Sequence, residues 1–454
     1  MSRLNLVTLN EKINSFVWGP FTLSMFLFVG IYYTLRLKGI QFNKAKLIIN
    51  KTLLSLLKKQ TRTSAGKHSL SQFGSLSTAL AATIGTGSIV GVATALTIGG
   101  SGSIFWMWVS AFLGMGTAYA ENVLGILYRT RDKNGNITGG AYSYIEKGMK
   151  AKWLAKLFAL FCVLASFGMG NMAQGNSISA SLFQSFHIPR IYCGIVLFVF
   201  IFIVMLGGAK RTQNVCELIV PFMTIFFLAG AIIILFIKRE RLIPELLSIF
   251  KNAFSFRSAA GGVAGAVIKK AVSIGIRRGV FSNEAGLGST VSVHSSSNIK
   301  EPVEQGFWGI FEVFIDTMVV CTITALVILV SGAPLIENEG AEIVVKAFES
   351  GFGSFGGYFV SISIVLFALA TLIGWSFIGE NAFCYLFPRA KNRVYKIIFC
   401  IFVYLGAVLS LEFVWEISDT FNGLMAIPNL IALIVLSKEV VNETNRYFNK
   451  NNCD

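Results

Sequence analysis

The segment best suited to hold a small charged ligand is Gly85-Thr86-Gly87-Ser88, within the stretch AATIGTGSIVG at residues 81–91. Its two glycines let the backbone leave the helical conformation. In hydrocarbon, the amides and carbonyls released by such a break are costly unless something binds them. An anionic carboxylate can accept the freed N–H groups at a half-helix N-terminus, and a small cation can take the carbonyls. The same small residues would also serve close helix packing, so the segment alone leaves both readings open. A nucleotide loop is not among them: the spacing is GxGxxxG and no GK[ST] follows.

Other polar residues sit within apolar sequence. Gln174 lies in GMGNMAQGNS with Asn171 and Asn176, where amides mark either a pathway or interhelical hydrogen bonds. Glu312 and Asp316 share a helix face at i, i+4 spacing and could take a cation or a proton, or, towards the inner end of their span, be only solvated or paired. Glu380 carries the same ambiguity. Glu121, Glu217 and Glu284 are expected near inner membrane faces, paired with Lys210, Arg211, Arg277 or Arg278 as gate or scaffold ion pairs. Trp375, in ATLIGWSFIGE, falls in mid-span rather than in an interfacial belt. Beside Thr371 it can wall a small pocket or pack a core.

Enzyme chemistry finds little support. His68, His187 and His294 lie far apart near predicted loops, and the seven cysteines show no CxxC spacing. No nucleophile–base or metal set falls at membrane depth, so the chain is not expected to be an enzyme.

The elements that must position these residues are membrane helices. Only 14% of residues are charged against 54% hydrophobic, and the mean hydropathy of +0.66 leaves too little polar surface to solvate a globule. The net charge of +16 comes from Lys and Arg runs flanking apolar stretches, which is topological bias and not a nucleic-acid footprint. With about 20 apolar residues per crossing, about eleven spans are predicted. They lie near 17–36, 74–98, 103–128, 154–182, 191–207, 215–237, 259–287, 307–331, 355–387, 394–411 and 417–437.

The basic connection after the first span, with Lys38, Lys44, Lys46, Lys51, Lys58, Lys59, Arg62 and Lys67, is expected to be cytoplasmic. Its residues 42–59 read as an amphipathic helix on the inner surface. The acidic loop ENEGAE then falls outside, as do Lys238, Arg239 and Arg241 against the bias. The N-terminus is expected outside and the C-terminus inside. Small loops and the lack of a transit-type leader suggest a bacterial inner (plasma) membrane, with lipid as the obligatory surrounding.

Removing the first span leaves ten, and two groups of five have opposite orientations. The first member of each five is glycine-rich: AATIGTGSIVG in 74–98 and AAGGVAGAV in 259–287. Paired interrupted helices of this kind point to a transporter site within an inverted repeat. The expected fold is therefore all-α and polytopic: one extra N-terminal helix plus a 5+5 inverted repeat with a broken first helix in each half. The units are 1–73 (first helix and basic segment), 74–237 (first repeat), 238–258 (extracellular connection), 259–437 (second repeat) and 438–454 (cytoplasmic tail).

Several stretches together resemble the alanine or glycine:cation symporter (sodium:alanine symporter) family. They run from GTGSIVGVATALTIGGSGSIFWMWVSAFLGMGTAYAE through GGAYSYIEKGM, GNMAQGNSIS and GGAKR to GIRRGVFSNEAGLGS, in family order across residues 74–437. RRGVFSNEAGLGS is the most specific of them. The resemblance implies a LeuT-type fold and uptake of a small neutral amino acid, typically alanine or glycine, driven by sodium. It further implies that the amides around Thr86 and Gly87 hold the substrate carboxylate, with Ser88 beside them. Gln174 and Trp375 complete the pocket, Trp375 limiting side-chain size. By the same resemblance, sodium is held by the carbonyls of Ala81, Ile84 and Ala368 and the Thr371 hydroxyl, an oxygen set suited to a hard cation.

No cofactor is implied, and a monomer would suffice. One departure stands out. The family reads GTGNI where this chain has Ser88, whose hydroxyl is shorter than an asparagine amide. Glutamine or serine is therefore an alternative substrate, and a proton acting through Asp316 or Glu312 an alternative coupling ion.

Overall fold

The computed structural model describes residues 3–57, 69–131, 135–254, 263–333, 340–409 and 411–451. Helices are numbered in chain order. α1 (Arg3–Val17) and α2 (Pro20–Arg36) meet at Trp18-Gly19, with Pro20 in the first turn of α2, where its missing N–H costs nothing. The short α3 (Ile40–Asn43), α4 (Ala45–Lys51) and a 3₁₀ turn (Leu53–Leu57) follow, where one amphipathic surface helix was expected. Lys58, Lys59, Arg62, Lys67 and His68 lie outside the described residues.

The predicted second span is broken: α5 (Gln72–Thr83) and α6 (Val90–Gly99) flank a short 3₁₀ turn at Thr86–Ser88. Next come α7 (Gly102–Leu127), a two-stranded antiparallel hairpin (Thr130–Arg131 with Ile137–Thr138) and α8 (Ala141–Lys147). α9 (Lys152–Phe167) passes through a π-helical turn (Gly168–Met172) into α10 (Ala173–Phe186). α11 (Arg190–Leu206), α12 (Gly208–Ile237) and α13 (Arg239–Ala253) follow.

α14 (Val263–Asn283) ends at an irregular loop, 284–290, before α15 (Val291–Ser295). α16 (Pro302–Val313), a second π-helical segment (Phe314–Cys321) and α17 (Thr322–Ser331) form one long rod, followed by α18 (Ala341–Phe352). α19 (Phe355–Leu386), α20 (Asn392–Val408), α21 (Leu411–Val435) and α22 (Ser437–Asn451) close the chain. α13, α18 and α22 are helices that the span count did not anticipate.

By length and composition, six helical stretches among the described residues can cross a membrane: Thr8–Arg36, Lys152–Phe186, Gly208–Ile237, Pro302–Ser331, Phe355–Leu386 and Ser418–Val435. The first broken span falls short of that length, its halves α5 and α6 being 12 and 10 residues long. Ile195, Val196, Val199 and Ile203 form an exposed apolar stripe on α11, a surface that only lipid covers without penalty. The protein is an all-α, multi-pass membrane structure.

Packing around the breaks is close because the contacting residues are small. A Cβ on Gly279 would come within 3.0 Å of the Ser110 hydroxyl, and one on Gly309 within 2.8 Å of the Ala118 carbonyl. α14 and α16 can therefore lie directly on α7. In the same way Gly374 of α19 lies on α5, where a Cβ would stand 2.8 Å from the Ala82 amide nitrogen.

One end of the bundle gathers cationic contacts. Lys51 pairs with Glu304 at 2.7 Å, Arg446 with Glu301 at 2.9 Å, and Arg129 donates to the carbonyls of Ser297 and Ile299 at 2.8 and 2.6 Å. At the opposite end Asp419 of α21 binds Arg277 at 2.5 Å and Arg278 at 3.6 Å. Trp18 Nε1 donates to the Asp419 carbonyl at 2.8 Å, which ties the N-terminal helix to the same point. Asp419→Ala is expected to lower stability by about 2–3 kcal/mol, since it strands charge that is largely buried. A thermal melt followed by size exclusion in detergent checks this.

Candidate functional site

Two helix breaks face each other. In the first, Gly85 N–H turns back to the Thr83 carbonyl at 2.9 Å and Ser88 N–H to Gly85 at 3.2 Å. These are the donors that an unbroken helix would send to Ala81 and Ile84, so the Ala81 and Ile84 carbonyls lose their helical partners. The break thus exposes two of the predicted sodium-binding oxygens. Thr371 stands against Gly85 so closely that a Cβ there would overlap its hydroxyl. That hydroxyl donates one turn back to the Phe367 carbonyl at 3.1 Å, beside Ala368. Ala81, Ile84, Ala368 and Thr371 are all fully buried.

The substrate-binding residues expected from the sequence also meet. Thr86 donates its hydroxyl to Gln174 Oε1 at 2.9 Å. Gln174 Nε2 donates to the Met169 carbonyl at 3.0 Å, an acceptor inside the π turn. Gly170 of that turn lies flat against the Trp375 ring and leaves no room for a methyl group. π turns mark sites where a helix re-aims a side chain, and here the turn aims Gln174 at the first break. Phe281 lies 3.4 Å from where a Cβ on Gly87 would be, and the Arg278 guanidinium lies 5.7 Å from the Phe281 ring centre. The Arg277–Arg278–Asp419 cluster is thus linked to the break through the Phe281 ring.

Asn171 and Asn176 serve packing. They donate to carbonyls around α20, at Phe399 (2.7 Å) and at Leu409 (2.8 Å).

The second break corrects several expectations. The sequence predicts the interruption at the glycine-rich AAGGVAGAV. Its residues 259–262 lie outside the described residues, while α14 is helical from Val263 onward and breaks at 284–290 instead. Three residues of this break have positive φ: Glu284 at 57°, Gly286 at 90° and Gly288 at 74°. Glycine takes that conformation without strain, whereas Glu284 takes it at a cost.

Glu121 of α7 accepts from the Gly286 amide at 3.2 Å, the Gly288 amide at 2.9 Å and Asn429 Nδ2 at 2.6 Å. Glu284 accepts from Trp375 Nε1 at 2.9 Å and from the Ser289 hydroxyl. Glu217 accepts from Gln213 at 2.6 Å and Ser71 at 3.0 Å. None of the three forms an ion pair with Lys210, Arg211, Arg277 or Arg278 among the described residues. Glu121 instead holds the second break, because freed backbone amides compete well for a carboxylate where water is absent, while Glu284 is bonded within the break to Ser289.

Asp316 is likewise not at a solvated inner end. It is fully buried in the second π segment and accepts from Ser88 at 2.6 Å, Ser282 at 3.0 Å and Thr317 at 2.8 Å. Ser88 therefore bridges the first break to Asp316, a contact that its residue type alone does not disclose. Glu312, one turn earlier, binds His294 at 2.8 Å, and His294 Nδ1 meets Gln305 at 2.5 Å. His294 is buried within the short α15. Glu380 pairs with Lys396 at 3.4 Å. Among the described residues no three His, Cys, Asp or Glu side chains form a metal-binding group, and the six described cysteines are free.

Comparison with known proteins identifies the family. Residues 4–454 match the model of the Sodium:alanine symporter family. The Sodium/alanine symporter AgcS of Methanococcus maripaludis is 43% identical over 452 residues, covering 98% of this chain and 98% of AgcS. The Bacillus subtilis protein named Probable sodium/glutamine symporter GlnT is 36% identical, over 94% of this chain and 87% of its own. Among solved structures, MhsT in complex with L-phenylalanine superposes with a TM-score of 0.64 at 14% identity, covering 84% of this chain and 93% of MhsT, which is a likeness of fold. The chain belongs to the sodium:alanine symporter family, a family of membrane transporters and not of enzymes.

Proposed function

We propose that the protein is a secondary symporter that imports a small neutral amino acid, alanine or glycine first, with sodium. The observation that carries this reading is the first break. There, carbonyls freed at Ala81 and Ile84 stand beside Thr371, while Thr86 stands beside Gln174. Sodium takes the carbonyls of Ala81, Ile84 and Ala368 with the Thr371 hydroxyl. The substrate carboxylate takes the amides of Thr86 and Gly87 next to Ser88, and Gln174 and Trp375 wall its side chain. The names of AgcS and GlnT support sodium coupling and an amino-acid cargo. The name of GlnT also keeps glutamine as the alternative cargo.

The spans form one N-terminal helix and two five-helix repeats, 74–237 and 259–437, with the N-terminus outside and the C-terminus inside the plasma membrane. The Arg277–Arg278–Asp419 cluster is then the outer gate, and a monomer suffices. Sodium stabilises the outward-open form, substrate joins, and the bundle rocks to release both inward. The driving force is about 2.3 kcal/mol per charge per 100 mV.

Accumulation of radiolabelled alanine in proteoliposomes under an inward sodium gradient tests the proposal. Uptake that persists without sodium and collapses with a protonophore would replace sodium by a proton. A finer check addresses the ion. Thr371→Val keeps the shape but removes a ligand oxygen, so the sodium concentration for half-maximal uptake is expected to rise about tenfold, equivalent to ~1.4 kcal/mol. Thr371→Ser is expected to stay near wild type.

A further inference from the structure

A buried carboxylate without a cationic partner closes the ring around the proposed cargo site. Thr86 bonds to Gln174 at 2.9 Å. Gly170, one turn before Gln174, lies on the Trp375 ring. Trp375 Nε1 donates to Glu284 at 2.9 Å. Ser282, two residues before Glu284, returns to the start, its Cα 3.6 Å from where a Cβ on Gly87 would be. Glu284 and Trp375 are 1% and 0% exposed. Among the described residues, Glu284 is bound only by neutral donors, Trp375 and Ser289. Asp316 differs in having three hydroxyl donors of its own, and Glu121 in having two backbone amides and a side-chain amide.

A carboxylate in so dry a place stays ionised only with a compensating charge beside it. A zwitterionic amino acid brings one. With its carboxylate on the Thr86 and Gly87 amides, its ammonium must be received across the ring, and Glu284 is the anionic group there.

We propose that Glu284 is the specificity-determining residue that receives the cargo's α-ammonium group, oriented for it by Trp375 and Ser289. This rests on the symport reading above. Two consequences follow from charge alone. Acids of the same size that lack an ammonium, such as lactate and propionate, are poorly bound because they leave Glu284 uncompensated. Aspartate and glutamate are disfavoured because their side-chain carboxylate would share the ring with Glu284.

The test is competition against labelled alanine uptake in proteoliposomes, with unlabelled alanine and lactate, for wild type and Glu284→Gln. In the wild type, lactate is expected to compete at least about 100-fold less well than alanine. In E284Q, half-saturation by alanine is expected to rise at least about tenfold while lactate changes little, so the discrimination shrinks by the same factor. A wild-type protein that accumulates no amino acid overturns the symport reading and this inference with it. Wild-type accumulation with an unchanged alanine-to-lactate ratio in E284Q overturns this inference alone. Should E284Q not yield monodisperse protein, the wild-type series decides by itself: lactate competing as well as alanine contradicts an ammonium-reading carboxylate.

Discussion

Glu121→Leu is expected to cost about 3–5 kcal/mol and to abolish transport, because one side chain holds the second break together. Its two oxygens accept from the amides of Gly286 and Gly288 and from the Asn429 side chain, all of them buried. A leucine would leave three donors unmet in a region that water does not reach, at about 1–3 kcal/mol each before relaxation. Asn429 also donates to the Gly286 carbonyl at 2.9 Å, so the damage would pass from α7 to α21. Glu121→Gln keeps one acceptor oxygen and the size but gives up the charge assistance, and is expected to lose about 1–2 kcal/mol. Thermal melts in detergent check the order: wild type above Gln, Gln above Leu. A leucine variant as stable as wild type would show that the break is held by something other than Glu121.

Gly85→Ala is expected to weaken the apparent sodium affinity of uptake sharply while leaving a folded protein. The added methyl group would overlap the Thr371 hydroxyl and stand 3.3 Å from its Cβ, so either α5 lifts off α19 or the Thr371 side chain turns away. Overpacking of this kind costs about 1–3 kcal/mol. If all of it falls on the ion-bound form, apparent sodium affinity drops about 5- to 150-fold. Gly91→Ala is the control, since nothing lies within 4 Å of the new Cβ. Combining Gly85→Ala with Thr371→Ala restores room but not the hydroxyl. The double variant should regain stability without regaining sodium affinity. Recovery of both would mean that Thr371 shapes the site without binding the ion.

The two breaks differ in how visible they were from the sequence. The first is legible because its cause is local: Gly85 and Gly87 bracket Thr86 in an otherwise apolar span, and the structure breaks there. The second is not, because AAGGVAGAV has more glycine than 284–290 yet includes residues that are helical, while the real break depends on partners far away in the chain. Glu121 reaches it from α7, and Asn429 from α21. A rule that pairs buried acids with nearby Arg or Lys therefore misassigned Glu121 and Glu284, whose partners are amides and an indole.

Gln174 and Trp375 were legible as polar or aromatic residues in mid-span. The π turns that aim Gln174 and Asp316 were not, because a one-residue widening of a helix leaves no periodic trace in eleven to eighteen residues. Asp316 illustrates the consequence. Counted along an ideal helix it shares a face with Glu312, yet the structure gives it to Ser88 and Ser282 and gives Glu312 to His294.

The central claim is that one break serves ion and cargo together, so their binding must be coupled reciprocally. The direct measurement is equilibrium binding of alanine to purified protein across a sodium series at constant ionic strength, repeated as sodium binding with and without alanine. The expected result is an alanine affinity that rises with sodium, and a sodium midpoint that falls by the same factor when alanine is present. An alanine affinity that does not change from zero to saturating sodium would contradict a shared site at Gly85–Ser88 and the sodium symport built on it.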